Sequence, residues 1–220
     1  MTKHNVKFNP YLLSDNALIE KFVFRKIDVK FITMVLDQNV GIVNQHVLII
    51  GPSGSGKTTL ALRVAAEVRT TGLNKLWYPL LVPEVRNEVL SVGEFWREAL
   101  FHLSVQTVNK KWKKMYSKLK KETRNDWLEA RSLGVLLDFA DSVGKRILLV
   151  VEDLDKLLSG FTNENDAWKL RHTLINEKRI MLLGTATDRF YHFENYSKAM
   201  YYQFKMHVLK PLGDDEGNAL

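Results

Sequence analysis

The sequence contains no cysteine. A disulfide framework and a thiolate metal site are therefore excluded. The first residues, MTKHNVKFNPYLL, lack the apolar core that a secretory signal needs. The longest apolar runs, such as ILLVV at 147–151, are strand-sized and far below the roughly 20 residues of a membrane-spanning helix. No internal repeat or low-complexity linker interrupts the chain. The six histidines are scattered, without H-x-x-x-H or H-E-x-x-H spacing, so no histidine-built metal site is expected. His172 and His207 sit among apolar neighbours and read as core or surface residues. These absences point to a soluble, cytoplasmic protein with no membrane contact.

What is present suits one α/β domain with a small appendage: 220 residues, 45% of them apolar. The net charge of +7 is local. Residues 110–121, KKWKKMYSKLKK, hold seven lysines and no acid, and the rest of the chain is neutral in sum. Any basic partner-binding patch belongs there.

Short β-branched runs alternate with longer amphipathic stretches, which predicts βαβ units and a doubly wound, parallel, five-stranded sheet. The expected strands are 46–50 (HVLII), 76–82 (LWYPLLV), 146–151 (RILLVV), 180–184 (IMLLG) and 200–209 (MYYQFKMHVL). Helices are expected at about 26–38, with Val29, Ile32, Val35 and Leu36 as the apolar stripe, and at 57–71, capped by Gly72. A third helix should end at Gly144. A helical insertion separates the second and third strands. In it, Trp112, Met115, Tyr116 and Leu119 recur at i, i+3, i+4 and i+7, so the lysine segment is expected to be an amphipathic helix. Its lysines either face water or sit on nucleic-acid phosphates, the second reading making residues 110–121 a DNA-binding element.

GPSGSGKTTL follows the first strand. Gly51, Gly56, Lys57 and Thr58 satisfy G-x-x-x-x-G-K-S/T, with a strand before and a helix after, as phosphate binding requires. Glycines allow close backbone approach, and the turned amides and helix N-terminus form an anion nest. Lys57 can neutralise the β- and γ-phosphates, and the Thr58 hydroxyl can ligate Mg²⁺. The nucleotide-binding set is Gly51, Pro52, Ser53, Gly54, Ser55, Gly56, Lys57, Thr58 and Thr59. The third strand ends in Glu152 and Asp153, with Asp155 beyond. The fourth leads into Thr185 and Thr187, either of which could sense a γ-phosphate; Thr187 is the first choice, and both also suit turn capping.

In order and spacing, FVFRKIDV, GPSGSGKTT, LLVVEDLDKL, LLGTATDRF and FKMHVLKPL resemble AAA+ ATPase domains, near prokaryotic initiator-type and STAND-like branches. The resemblance implies ATP and Mg²⁺ as cofactors, with Phe22 and Val23 at the adenine, although Phe24 replaces the usual glycine of that box. It puts Glu152 at the metal position beside Thr58 and Asp153 at the water-positioning site. The usual order is Asp then Glu, so the base is one methylene short. By the same resemblance residues 1–21 form an N-terminal arm, 22–212 the nucleotide-binding core and 213–220 the start of a lid. No arginine follows Arg189. Arginine fingers accelerate such reactions by orders of magnitude, so the resemblance implies slow hydrolysis driving a conformational change, with self-association or a partner protein. A non-hydrolysing ATP switch is the alternative. A transporter ATPase is excluded, because the only L-S-G, at 158–160, follows the acidic strand. A kinase would need more lid arginines than Arg189 alone.

Overall fold

The computed structural model describes residues 9–21, 24–39, 44–83, 89–187, 193 and 195–210. A 3-10 turn at Pro10–Leu12 leads into α1 (Asp15–Lys21) and α2 (Lys26–Gln38). Then come β1 (His46–Ile50), α3 (Lys57–Thr70) and β2 (Trp77–Val82). The insertion consists of α4 (Val92–Gln106), α5 (Lys110–Leu119) and α6 (Asn125–Val143). After it come β3 (Arg146–Val151), α7 (Leu154–Gly160), α8 (Glu164–Asn176), β4 (Ile180–Ala186) and β5 (Phe204–Val208).

The five strands are parallel and ordered β2-β3-β4-β1-β5. HVLII is buried along its whole length because helices cover both faces of a parallel sheet. Side-chain alternation then divides the core in two. Leu48, Ile50, Leu149, Val151 and Leu182 face α4, α6 and α8. Val47, Ile49, Val150, Met181 and Leu183 face α2 and α3. β2 is an edge strand. Pro79 is tolerated there, and the Gln106 amide pairs with the Leu81 backbone N–H (3.1 Å) and C=O (2.6 Å), occupying groups another chain could otherwise claim.

The insertion packs as its periodicity predicts. Ser91 caps α4 by accepting from Glu94 N–H, and the Glu94 carboxylate accepts from Leu90 N–H, a reciprocal cap. Gly93 lets α4 and α6 meet, since a Cβ there would lie 2.7 Å from the Asn125 carbonyl oxygen. On α5, Trp112 is buried edge-on against Phe139, while all seven lysines of 110–121 are exposed. Among the described residues no helix is long and apolar enough to cross a membrane.

Three boundaries differ from expectation. Gly72 does not cap α3. The Thr71 hydroxyl accepts from Leu73 N–H and starts a 3-10 turn, so the helix stops at Thr70. β4 runs two residues past Gly184, because its neighbour β1 extends the ladder to Ala186. β5 begins at Phe204 and not at 200, because residues 200–202 form a turn in which Tyr202 takes a left-handed φ of 53°. Phe22, Val23, Arg189 and residues 213–220 lie outside the described residues.

Candidate functional site

The sheet register brings the sequence-predicted residues to one edge. Ile50 pairs with Ala186 and Val151 with Gly184, so the chain leaves β1, β3 and β4 side by side at their C-terminal ends. That edge is where ligands bind in open α/β sheets. The loop 51–56 turns there, with Gly54 and Gly56 at φ values of 80° and 87°, which side chains oppose. A cleft of about 630 Å³ opens over it, and Ser53, Gly54, Gly56, Lys57, Thr58 and Thr59 form one wall. Glu152, Asp153 and Thr187 form the other. Gly51 is buried beneath, Pro52 exposed and Ser55 half-buried.

Lys57 is buried, and its ammonium donates to the carbonyls of Gly51 (2.7 Å) and Pro52 (3.0 Å). Burial lowers its pKa, while Asp153, Asp155 and Glu152 oppose that shift. Thr58 Oγ1 donates to Glu152 Oε2 at 3.0 Å. A hydroxyl and a carboxylate at that separation are hard oxygen donors suited to Mg²⁺. Among the described residues no group of three or more His, Cys, Asp or Glu could hold a metal, so an ion here would draw its remaining ligands from phosphate and water.

Asp153 occupies a left-handed conformation (φ 48°, ψ 49°) at the start of α7, one that Asp tolerates better than most residues. Its carboxylate pairs with Lys156 at 2.5 Å. Its backbone N–H donates to Thr185 Oγ1 at 3.0 Å, and Thr185 is fully buried. Thr187 is exposed in the cleft, its N–H held by Asp155 Oδ2 at 3.0 Å. The two threonines therefore sit differently: buried Thr185 holds the acidic turn through the Asp153 N–H, and Thr187 lies on the wall of the cleft.

Two residues at the site were missed in the sequence. Arg25, in the left-handed region at φ 64°, donates to Ser55 O (3.0 Å) and Lys210 O (2.9 Å), bracing the phosphate loop against the end of β5. It lies in the FVFRK box, in which the resemblance assigns a role only to Phe22 and Val23. The Tyr11 hydroxyl donates to Glu152 Oε1, and no local pattern announces a contact across that much chain.

The family model of AAA, the ATPase family associated with various cellular activities, matches residues 47–212. The chain belongs to the AAA family. Its fold is also that of solved structures. The Aeropyrum pernix ORC1 protein in complex with DNA superposes at TM-score 0.61 with 17% identity, covering 88% of this chain and 47% of that one. The Aeropyrum pernix ORC2 protein, solved as ADPNP-ADP complexes, gives 0.62, 15%, 88% and 50%. Caenorhabditis elegans PCH-2 gives 0.53, 13%, 91% and 47%. This AAA chain thus spans about half the length of the structures it matches. No curated protein sequence matches it.

Proposed function

We propose that this AAA domain binds ATP with Mg²⁺ and hydrolyses it slowly, and that the cycle drives a conformational change in a larger protein or assembly. The observation that carries the proposal is the Thr58–Glu152 hydrogen bond directly under the phosphate loop. It joins the two oxygen groups a P-loop ATPase needs at its metal. The loop amides and Lys57 would hold the phosphates, and Thr58 and Glu152 the Mg²⁺. Bound Mg²⁺ would neutralise charge between the β- and γ-phosphates. Asp153 would orient the attacking water, which requires its carboxylate to leave Lys156. Thr187 would face the γ-phosphate. Phe22 and Val23 would meet the adenine. Residues 22–212 would be the nucleotide core, 1–21 an arm and 213–220 the beginning of a lid. The protein would work in the cytoplasm, with self-association or a partner protein.

The Asp153–Lys156 pair also favours a second reading, an ATP-binding switch that does not hydrolyse. Nucleotide binding measured together with phosphate release separates the two. Slow release that collapses in Asp153→Ala supports the ATPase, whereas tight binding without release establishes the switch. Lys57→Ala should abolish binding in either case. DNA is a further proposed partner. The lysine face of α5 is followed by Arg124 and Arg131, whose guanidiniums lie 4.9 Å and 4.7 Å from the ring of exposed Trp127, an arrangement suited to phosphates. Glutamine at Lys110, Lys111, Lys113 and Lys114 should remove a salt-dependent DNA affinity; equal binding by the variant would end that reading.

A further inference from the structure

Both oxygens of the Glu152 carboxylate are engaged, and by residues from two different elements. Thr58 at the start of α3 donates to Oε2, and Tyr11 in the 3-10 turn donates to Oε1. The Thr58 bond is compatible with a bound metal, because a hydroxyl can ligate through its lone pair while donating its proton to a carboxylate. The Tyr11 bond is not neutral in the same way, since Oε1 is the atom left to accept from a water on the metal.

The backbone bonds of the turn that carries Tyr11 are local, and Leu13 at its end packs on the Leu18, Leu62 and Ala66 cluster. Asn9 Oδ1 accepts from Tyr11 N–H at 3.1 Å, and Leu13 N–H donates to Pro10 O at 3.3 Å. Leu12 is 82% exposed and Tyr11 itself 38% exposed. Immediately afterwards the chain is anchored. Asp15 takes both nitrogens of the Arg69 fork at 2.6 Å and 2.7 Å, and Leu18 packs on Leu62 and Ala66 of α3. A short turn thus precedes an anchored α1, with Tyr11 on the metal-site carboxylate.

We propose that Tyr11 is a metal-responsive latch, whose hydroxyl competes with a metal-bound water for Glu152 Oε1, so that loading of Mg²⁺ and nucleotide frees residues 9–14 and redirects the N-terminal arm. The latch rests on the ATP–Mg²⁺ reading of the site. It makes the arm the part of the chain that reports metal occupancy, and it assigns Tyr11 a positioning role through Glu152 and no contact with the reacting atoms.

The test compares wild type, Tyr11→Phe and Arg69→Gln. Each is titrated with a fluorescent ATP analogue in excess Mg²⁺ and in chelator, and the ratio of the two affinities is taken within each protein. Hydrogen exchange over residues 9–14 is followed under the same conditions. Removing a hydrogen bond to a charged acceptor should raise the Mg²⁺-dependent gain by about tenfold in Tyr11→Phe. Arg69→Gln, which loosens the anchor without touching the cleft, should move it the same way by less. In wild type, exchange over 9–14 should rise with Mg²⁺ and nucleotide together and stay unchanged with nucleotide in chelator. A gain equal to wild type in both variants, or stronger protection of 9–14 on Mg²⁺ loading, overturns the latch and leaves the ATP-binding reading standing. If wild type binds no nucleotide, the ATP-binding reading fails and the latch falls with it.

Discussion

His46 opens β1, the strand that leads into the phosphate loop, and it is fully buried. Its Nδ1 accepts from Leu182 N–H of β4 at 3.0 Å, and its Nε2 donates to Leu174 O of α8 at 3.0 Å. Those partners need the neutral ring, since a proton on Nδ1 would face a second N–H. Burial lowers the pKa from 6.5 to about 4, partly opposed by the Leu174 carbonyl, with Arg146 adding to the depression. In the unfolded chain the ring takes its proton near 6.5, and in the folded chain only near 4. Folding therefore excludes a proton between those values. The stabilisation is fully present above the unfolded pKa and is lost as pH falls through the folded one. Its full size is about 3 kcal/mol, and about 2 kcal/mol of it should be gone at about pH 5. The assay is denaturant unfolding between about pH 8 and pH 5, followed by fluorescence of the buried Trp77 and Trp96. His46→Gln keeps the donor to Leu174 but cannot titrate. Wild type should lose roughly 2 kcal/mol more than this variant over that range. Parallel pH dependences in the two proteins would refute the assignment.

Other perturbations test the site's supports. Thr185→Val keeps the shape but strands the Asp153 N–H, so a loss of about 1–3 kcal/mol in urea denaturation is expected; phosphate release should fall with it, and an unchanged midpoint would show that the hydroxyl is not needed. Gly93→Ala forces a Cβ against the α6 backbone and should cost about 1–3 kcal/mol by thermal unfolding, with nucleotide affinity retained at lower temperature. Trp112→Ala should cost about 3–5 kcal/mol, whereas Lys113→Gln at an exposed position of α5 should stay within about 0.5 kcal/mol in the same measurement.

The elements most legible in the sequence are those set by local periodicity. HVLII and RILLVV read as buried parallel strands because both faces are apolar, and Trp112, Met115, Tyr116 and Leu119 read as one face of a helix. The phosphate loop was legible because its chemistry requires glycines, a lysine and a hydroxyl at fixed spacing. The acids after β3 could be placed beside it because the sheet order of such folds is narrow. Gly72 misled because a threonine one residue earlier offered the backbone a competing turn. The start of β5 misled because Tyr202 adopts a conformation that tyrosine rarely takes.

Tyr11, Arg25 and His46 were beyond reach for one reason. Each acts through a partner between 30 and 185 residues away, and a hydrogen bond across that distance leaves no period in the sequence. Sequence alone determined that this chain would fold as an α/β P-loop domain, since hydrophobic alternation and loop chemistry are properties of neighbouring residues. Tertiary structure decided which threonine braces the acidic turn, what steadies the phosphate loop from behind, and what rests on Glu152. Those outcomes depend on which strand ends the β2-β3-β4-β1-β5 order sets side by side and on the N-terminal turn that packing against α3 brings to the same edge.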